Sequence, residues 1–468
     1  MERAGAALLA SLQQHWPQAQ RLWIVCGRGN NGGDGYVLAR LAVAAGLQVR
    51  VLALGEPNPG TEAAEARRQW LMLGAVESAW PLAPDAESRP QVVVDALLGI
   101  GPDRELQGDV VEWIEAINRL GVPVLSADLP SGLHADSGRR LGPVINAQVT
   151  LTFMGLKTGL LTGAAPDHVG LLQLAPLTAA SELNGAAIWA TEQPAAWRID
   201  YPQLQNQLHP RPRSAHKGMA GRVLLIGGGE GMPGAIRLAA EAALRSGAGL
   251  VKVLTHASHH LAVGAGRAEL MLTAPESEPA AARAQAQWAS VRVLGPGLGQ
   301  SPWARLLWQQ QLALPGPLLL DADGLNLLAE MPAKRDNWIL TPHPGEAARL
   351  LACSTARIES DRFAAVRRLQ QQYGGVVVLK GAGTLIADES GCWLAQEGNP
   401  GMASGGMGDL LSGIIAALWA QGYAPITAAQ LGVCIHGEAG DCAAVEGERG
   451  MLAADLLPFI RRLVNPVG

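Results

Sequence analysis

At 468 residues the chain is longer than one ordinary hydrophobic core accommodates, so two or three domains are expected. Hydrophobic residues make up 48% of it, and 57 Gly and 30 Pro are typical of an α/β enzyme with many tight strand-to-loop transitions. Only 4 Tyr and 3 Phe are present, the formal net charge is −5 and no long basic run occurs, so the composition argues against nucleic acid as the main partner.

The N-terminal residues 4–16 have helical spacing but no signal-peptide cleavage pattern. No apolar run reaches the roughly 20 residues that span a bilayer, so no membrane association is expected. Five scattered cysteines without a CxxC pair fit a reducing compartment, with neither a disulfide framework nor a zinc site. Together these features predict a cytoplasmic protein.

The first half alternates short apolar runs with helical stretches. The runs predicted as strands are Leu22–Cys26, Val49–Leu54, Val92–Val94, Val122–Leu125 and Val149–Phe153. Helical spacing over Tyr36–Ala45 and Val110–Leu120 fills two of the intervals. Strand and helix alternating in this way predict a parallel sheet with helices on both faces.

Polar residues follow the predicted strands of this half. They are Asn30, Asn31, Asp34, Asp95, Asp128, Ser131 and Lys157. Because ligands bind beyond the carboxyl ends of the strands in such sheets, these residues predict a site. Gly27–Gly32 also matches GxGxxG after a strand, which could be a dinucleotide fingerprint, although Glu56 is only a loose candidate for the acid that would hold the ribose.

Residues 175 to about 215 lose the periodic pattern, and four prolines lie between residues 194 and 212. We place a domain boundary near residue 203. The stretch HPRPRSAHKG at 209–218 is locally basic, but a few charges of this kind are typical of a solvated connector.

The second half repeats the alternation. Its predicted strands are Val223–Ile226, Val291–Leu294, Pro317–Leu320, Trp338–Leu340 and Val376–Leu379, and a small-residue helix is predicted over Ile236–Ser246. The polar residues just past these strands are Asp321, Asp323, Asn326, His343, Glu346 and Lys380. Since two prolines flank His343 and stiffen its loop, we expect it to contact a ligand.

The stretch Asn399–Gly413, NPGMASGGMGDLLSG, is the strongest candidate for chemistry. A glycine-rich turn ends at Gly408, and an apolar run over Leu410–Trp419 predicts a buried helix. Glycines and a helix start together make an anion site from backbone N–H groups. Asp409 at this junction could take a proton from a substrate hydroxyl while phosphate occupies the amides. The alternative is a tight turn with Asp409 as a helix N-cap.

GNNGGDGYVLARLA, VVDALLGIG, DLPSG and TFMGLKTG, spread over about residues 1–175, resemble the NAD(P)H-hydrate epimerase family. The resemblance implies a Rossmann-like three-layer α/β domain at 1–203 that binds hydrated NADH or NADPH. The implied contacts with the hydrate are Asn30, Asn31, Gly32, Gly33, Asp34, Gly99, Ile100, Gly101, Pro102, Asp103, Arg104, Glu105 and Asp128. It also implies a potassium ion held by Asn31, Asp95 and Ser131. Asp128, assisted by Lys157, is the candidate for moving protons during epimerisation.

GGGEGMPGA, GPGLG, DADGLN, TPHPGE, KGAGT and NPGMASGGMGD, in order over 204–468, resemble the NAD(P)H-hydrate dehydratase family. The resemblance implies a ribokinase-like α/β domain that uses ADP, with Mg²⁺ on its phosphates, to dehydrate the hydrate. The implied hydrate contacts are Ala235, Gly297, His343 and Asp409, with Asp409 as the catalytic base. The implied nucleotide contacts are Lys380, Gly381, Ala382, Gly383, Thr384 and Gly408. A homo-oligomer is expected.

Two other functions stay open for these residues. One is an ATP-dependent small-molecule kinase of the ribokinase type, and the other is a non-catalytic scaffold, because the epimerase-like fold also occurs in mRNA-decapping scaffolds. The residues do not decide whether ADP or ATP is the donor. They also do not decide whether NADH-hydrate or NADPH-hydrate is the substrate.

Relatives of the epimerase half carry a segment before the stretch that opens this chain. Ala6, Ala7, Leu8, Leu9 and Leu12 are apolar on most sides of the first predicted helix, so we expect something outside it to cover them. Without that cover, the epimerase half should be less stable than the dehydratase half.

Overall fold

The computed structural model describes residues 1–80, 88–177, 194–273 and 279–465. The chain divides into two compact units, Met1–Pro194 and Ala195–Gly468. The boundary predicted near residue 203 lies C-terminal to this division. The second unit begins earlier because strand Trp197–Ile199 already pairs with strand Gly391–Ala395 of the second sheet. Part of the aperiodic stretch predicted at 175–215 falls on residues 178–193, outside the described residues.

The first unit contains seven strands and four α-helices within its described residues. The strands are β1 (Arg21–Cys26), β2 (Gln48–Ala53), β3 (Val76–Glu77), β4 (Val92–Ala96), β5 (Val124–Ala127), β6 (Val149–Phe153) and β7 (Leu171–Ala175). The helices are α1 (Glu2–His15), α2 (Asn30–Ala44), α3 (Glu62–Leu71) and α4 (Asp109–Leu120).

The second unit has the remaining elements. Its strands are β8 (Trp197–Ile199), β9 (Arg222–Ile226), β10 (Leu250–Leu254), β11 (Met271–Thr273), β12 (Val291–Leu294), β13 (Leu318–Leu320), β14 (Trp338–Leu340), β15 (Val376–Leu379), β16 (Thr384–Asp388) and β17 (Gly391–Ala395). Its helices are α5 (Tyr201–Leu204), α6 (Pro233–Arg245), α7 (His260–Gly264), α8 (Pro279–Trp288), α9 (Pro302–Leu312), α10 (Asp323–Glu330), α11 (Pro344–Leu350), α12 (Thr355–Ser360), α13 (Arg362–Tyr373), α14 (Met407–Ala420), α15 (Pro425–Ala444) and α16 (Leu457–Leu463).

The first unit has the predicted parallel sheet, in the order β3-β2-β1-β4-β5-β6-β7. Side chains of β1 alternate between its faces: Leu22 and Ile24 enter a core with α1 and α2, while Trp23 and Val25 enter a core with α4. Burial on both faces is the three-layer arrangement expected from the sequence. The strand order reverses between β1 and β4, where α/β sheets form a ligand crevice.

Helix α1 is covered by the first unit itself. Ala4, Leu8 and Leu12 are buried against α2 and the sheet, and Leu9 is partly buried, whereas Ala6 faces solvent. We expected an apolar face of this helix to remain exposed to solvent, and this expectation is wrong. The positions that pack inward repeat every four residues and form one stripe. The reason for expecting a weaker first unit is removed with it.

The second sheet is mixed rather than wholly parallel. Its order is β11-β10-β9-β12-β13-β14-β15-β16-β17-β8, with β16 antiparallel to both of its neighbours. The order reverses between β9 and β12, and the loops after these strands meet there: Gly229 N donates to the Gly297 carbonyl at 2.7 Å. None of the helices in the four described ranges combines the length and apolar character needed to cross a bilayer.

Candidate active sites

A cavity of about 730 Å³ opens at the β1/β4 crevice of the first unit. Its walls include Asn30, Asn31, Asp34, Gly99, Ile100, Gly101, Pro102 and Asp128 of the predicted contacts, together with Arg28, Gln107 and Asp109, which the sequence did not single out. Gly32 and Gly33 lie in the first turn of α2, next to this wall. Asp103, Arg104 and Glu105 are exposed and do not line the cavity, and Asp103 is paired with Arg139 at 3.1 Å.

A buried carboxylate network lies beneath this cavity. Asp95, which is fully buried, accepts hydrogen bonds from the hydroxyl of Ser131 at 2.6 Å and from that of Ser126 at 2.9 Å. The Ser131 hydroxyl in turn accepts from Leu98 N at 2.9 Å, and Asn31 Nδ2 donates to the Leu98 carbonyl at 2.9 Å. The three residues predicted to hold potassium therefore belong to one network.

Two features of this network fit an oxygen-bound cation. Burial raises the pKa of Asp95 and opposes its charged form, although hydrogen bonds from Ser131, Ser126 and Leu97 favour the carboxylate. The side-chain oxygen of Asn31 is buried and has no hydrogen-bond partner among the residues that the structure describes. A monovalent cation would offset the charge of Asp95 and satisfy this oxygen. The described residues contain no cluster of three His, Cys, Asp or Glu side chains suited to a metal ion.

Asp128 follows β5 with a left-handed backbone (φ 68°), which directs its side chain toward β6. Its Oδ1 accepts from the Lys157 ammonium, from Thr152 Oγ1 at 3.2 Å and from Phe153 N at 3.2 Å. Lys157 also donates to Thr152 Oγ1 at 3.0 Å and to the Phe153 carbonyl at 2.8 Å. The predicted Asp128–Lys157 pair is present, and Thr152 is a partner that the sequence did not indicate.

Asp34 faces the same cavity from α2. Its pKa is raised to about 7, mainly by burial and also by the negative charge of Asp128, while the amino group of Met1 acts in the opposite direction. The cavity thus has one carboxyl group that can be protonated near neutral pH, besides the hydrogen-bonded carboxylate of Asp128. Glu56, the loose candidate for a ribose ligand, is exposed and pairs with Arg67 at 2.7 Å.

Helix α14 carries the predicted base of the second unit. Gly406, with a left-handed backbone (φ 93°), is the N-cap, and no side chain caps the helix. Asp409 is the third residue of the helix, so the interpretation of Asp409 as an N-cap is wrong. The first N–H groups of α14 remain available to an anion.

A cluster of charged side chains adjoins Asp409. Lys380 Nζ donates to Asp321 Oδ1 at 2.8 Å and lies 3.8 Å from Glu346 Oε2. The other oxygen of Asp321 accepts from Ser412 Oγ of α14 at 2.8 Å. A side chain at Gly408 would meet Lys380 Nζ at 3.2 Å, so a glycine here keeps the ammonium close to the helix start.

Asp409 lies in a setting that favours its protonated form. Its pKa is raised to about 7, mainly by burial and also by the charge of Asp321, while the charge of Lys380 acts in the opposite direction. A carboxyl group with this pKa can both accept and release a proton near neutral pH, as a general base requires.

His343 is the N-cap of α11 and has a structural role as well as an exposed edge. Its Nδ1 accepts from Gly345 N at 2.9 Å, while Glu346 accepts from His343 N at 2.8 Å, which forms a capping box. Burial, together with the charge of Lys380, lowers the pKa of His343. Half of its side chain is exposed (49%), so the neutral ring can contact a ligand.

Two families account for the chain. Residues 1–159 match the family described as YjeF-related protein N-terminus, and residues 223–462 match the family described as NAD(P)H-hydrate dehydratase. The bifunctional NAD(P)H-hydrate repair enzyme of Coxiella burnetii is 47% identical over all of this chain and 94% of that protein, and the Escherichia coli enzyme of the same name is 46% identical over all of this chain and 89% of its own. The chain belongs to the bifunctional NAD(P)H-hydrate repair enzymes.

Solved structures match the second unit of this repair enzyme. A ribokinase-like superfamily protein from Enterococcus faecalis aligns with a TM-score of 0.54 at 29% identity, over 58% of this chain and 96% of that one. The ADP/ATP-dependent NAD(P)H-hydrate dehydratase of Bacillus subtilis, co-crystallised with ATP/Mg²⁺, aligns with a TM-score of 0.51 at 28% identity, over 58% of this chain and 98% of that one. The predicted ribokinase-like fold is confirmed, and neither the small-molecule kinase nor the scaffold receives support.

In this repair enzyme, the predicted dehydratase residues meet at the carboxyl edge of the second sheet. Ala235 lies in the first turn of α6. It adjoins Gly297, because a Cβ placed on Gly297 would lie 3.1 Å from the Cβ of Ala235. Lys380 to Thr384 connect β15 to β16, and Gly408 adjoins Lys380. The loops predicted to contact the hydrate and the nucleotide therefore lie at one edge of the sheet.

The sequence analysis did not identify a buried arginine behind the predicted nucleotide-binding loop, Lys380–Thr384. Arg362 of α13 is 1% exposed, and its Nη2 donates to the carbonyls of Leu379 at 3.3 Å and Lys380 at 3.1 Å. Gly381 lies against the guanidinium, because a Cβ there would come within 3.0 Å of it. A surface-type residue at the start of a helix gives no local signal of this role.

Proposed function

We propose that the protein repairs hydrated NADH and NADPH, epimerising the R and S forms in the first unit and dehydrating the S form in the second with conversion of ADP to AMP and phosphate. The observation that supports dehydration best is the half-buried carboxyl of Asp409, with its raised pKa, at an uncapped helix start beside Lys380. The family membership of both halves supports the pairing of the two activities.

In the dehydratase, Asp409 accepts the proton of the hydrate's hydroxyl as its oxygen attacks the terminal phosphorus of ADP, supplied as its Mg²⁺ complex. The bond to AMP breaks, so hydroxide, a poor leaving group, becomes phosphate, a good one. Loss of phosphate and of a ring proton then restores the reduced nicotinamide. The N–H groups at the start of α14 and the Lys380 ammonium stabilise the transferring phosphoryl group.

In the epimerase, Asp128 moves protons at the hydrated carbon while Lys157 and Thr152 hold its carboxylate in place. Asn31, Asp95 and Ser131 would hold a potassium ion, which supplies positive charge next to the dinucleotide's phosphates. Oxygen ligands of this kind suit a hard cation.

The dehydration rate should rise with pH through about 7. Burial places the pKa of Asp409 there, and the base works only after it has lost its proton. At hydrate concentrations well below its KM, kcat/KM, which follows the ionisation of the free enzyme, should fall about tenfold per pH unit below this inflection and reach a plateau above it. The measurement is a pH profile from 5.5 to 8.5.

An Asp409→Asn variant serves as the reference for that profile, because its residual rate should lack the inflection. A wild-type profile that is flat between pH 5.5 and 8.5 would remove Asp409 from proton transfer. Burial and the charge of Lys380 lower the pKa of His343, which moves its titration away from the inflection expected for Asp409.

Potassium should accelerate epimerisation at least several-fold over N-methylglucamine at equal ionic strength. Asn31→Ala should lose this acceleration, since it removes the unpartnered buried oxygen. The melting temperature of the first unit should likewise rise with potassium in the wild type and not in the variant.

Asn118→Ala is a matched control for Asn31→Ala. Asn118 is an amide in the same unit that donates to the Val144 carbonyl at 2.8 Å, and it does not line the cavity. Potassium activation that survives Asn31→Ala, or disappears in Asn118→Ala as well, would contradict the proposed ligand set.

The function as a whole is tested by incubating purified protein and Mg²⁺ with hydrated NADH and either ADP or ATP. Production of AMP, in equal amount to NADH formed, supports ADP-dependent dehydration. Production of ADP from ATP alone would favour the other donor, and nucleotide turnover without NADH would exclude the proposal. Three properties remain predictions: the homo-oligomeric state, the cytoplasmic location and the absence of a nucleic-acid partner.

A further inference from the structure

Helix α15 supports the loop that precedes the proposed anion site at the start of α14. The chain from Glu397 to Met402 packs directly against this helix. A Cβ at Gly437 would come within 2.6 Å of the Glu397 side chain, and one at Gly440 would overlap the Met402 side chain. Two small residues of α15 therefore allow the loop to approach the helix backbone.

Asp441, one residue after the second of these glycines, fixes the loop by polar contacts. Its Oδ2 accepts from Gly398 N at 2.9 Å, and its Oδ1 accepts from Asn399 Nδ2 at 2.9 Å. The side-chain oxygen of Asn399 accepts from Gly401 N at 3.0 Å and caps the short turn that follows. One half-buried carboxylate therefore orders both the backbone and the capping side chain of this segment.

The ordered segment leads straight into the anion site. Four residues after Met402 the chain reaches Gly406, the N-cap of α14, and Asp409 follows in the first turn. No side chain caps α14, so the chain that enters it must fix the directions of its first N–H groups. A glycine-rich turn has little conformational preference of its own, and its anchor therefore matters more.

We propose that Asp441 is a positioning residue for the phosphates of the adenine nucleotide: it touches neither substrate, and it acts through Gly398 and Asn399 on the N–H groups at the start of α14. This proposal rests on the proposed dehydratase function. The reaction's proton transfer belongs to Asp409, so loss of Asp441 should weaken nucleotide binding more than the chemical step.

The test uses Asp441→Asn in the full chain. An amide can accept one of the two hydrogen bonds, but its NH₂ group faces a donor. The Kd of MgADP, measured by calorimetry without hydrate, should rise about tenfold, the scale of one lost hydrogen bond to a charged group. The KM for ADP should rise in parallel. Because the same N–H groups also stabilise the transferring phosphoryl group, kcat at saturating ADP should fall, but by less than the affinity does. The epimerisation rate should stay within about twofold of wild type.

Asp388→Asn is the matched control. Asp388 also orders a turn through two hydrogen bonds, from Ser390 N at 2.8 Å and Ser390 Oγ at 2.7 Å, but it lies in the β16–β17 hairpin. It should leave the MgADP affinity unchanged. Asn399→Ala, which removes only the side-chain arm of the Asp441 contact, should reproduce part of the effect even if Asp441→Asn folds poorly.

An MgADP affinity that Asp441→Asn and Asn399→Ala both leave unchanged overturns the proposal, as does a kcat that falls as much as the affinity. Absence of MgADP binding to the wild type overturns it as well. Binding with the expected variant effects but without dehydration would instead reject the proposed function and leave the positioning role standing, because the calorimetric measurement needs no turnover.

Discussion

Asp409→Asn should lower the dehydration rate by roughly 10²-fold or more, the scale of general-base catalysis. The substitution keeps the size of the side chain but cannot accept the hydroxyl proton. Because the N–H groups of α14 and the Lys380–Asp321 pair remain, MgADP affinity should change little. Single-turnover NADH formation from the S form, with calorimetry for ADP, separates the two effects.

The same protein supplies the control for this variant. Epimerisation depends on residues of the first unit, so Asp409→Asn should epimerise the R form at the wild-type rate. Near-full dehydration by Asp409→Asn would assign the proton to another group. Glu346 would then be the next candidate, since burial raises its pKa as well and it lies beside Lys380.

Asp128→Ala should abolish epimerisation and spare dehydration of the S form. With an equal mixture of the two epimers, ADP-driven NADH formation should stop near half conversion, apart from slow spontaneous epimerisation. The physical reason is that removal of the carboxylate leaves Lys157 and Phe153 N without their shared acceptor and the hydrated carbon without its proton carrier. Absorbance of NADH against time gives the end point directly.

The left-handed backbone of Asp128 calls for a second substitution. Alanine is disfavoured at φ 68°, whereas asparagine adopts this conformation readily. Asp128→Asn should therefore also stop near half conversion if the carboxylate is what matters. Rapid, complete conversion by Asp128→Asn would show that the backbone conformation, rather than the charge, explains the alanine result.

Local pattern determined much of the architecture. The five apolar runs predicted in the first half all overlap strands, and four predicted runs match the observed bounds: Val149–Phe153, Val291–Leu294, Trp338–Leu340 and Val376–Leu379. Periodicity succeeds here because buried parallel strands are short apolar runs that end in glycine or a polar residue. The strands β3, β8 and β11 have only two or three residues and were not predicted, and β7, β10, β16 and β17 were not predicted either.

The glycine-rich turn and Asp409 could likewise be found from sequence, since both belong to one continuous stretch. The apolar run that follows these glycines, Leu410–Trp419, is longer than an ordinary strand, and its length predicts a helix. The helix begins at Met407, two residues before Asp409, and this difference turns a possible cap into a candidate base. Sequence identified the group, and the helix boundary excluded its interpretation as an N-cap.

Tertiary structure alone decided what supports these groups. Arg362 reaches the Lys380 carbonyl across 18 residues, and Asp441 reaches Gly398 across 43. Hydrogen bonds at such separations depend on how helices pack on the sheet, which no local period records. The pKa values of Asp34 and Asp409 near 7 have the same origin, because burial and neighbouring charges exist only after the chain has folded.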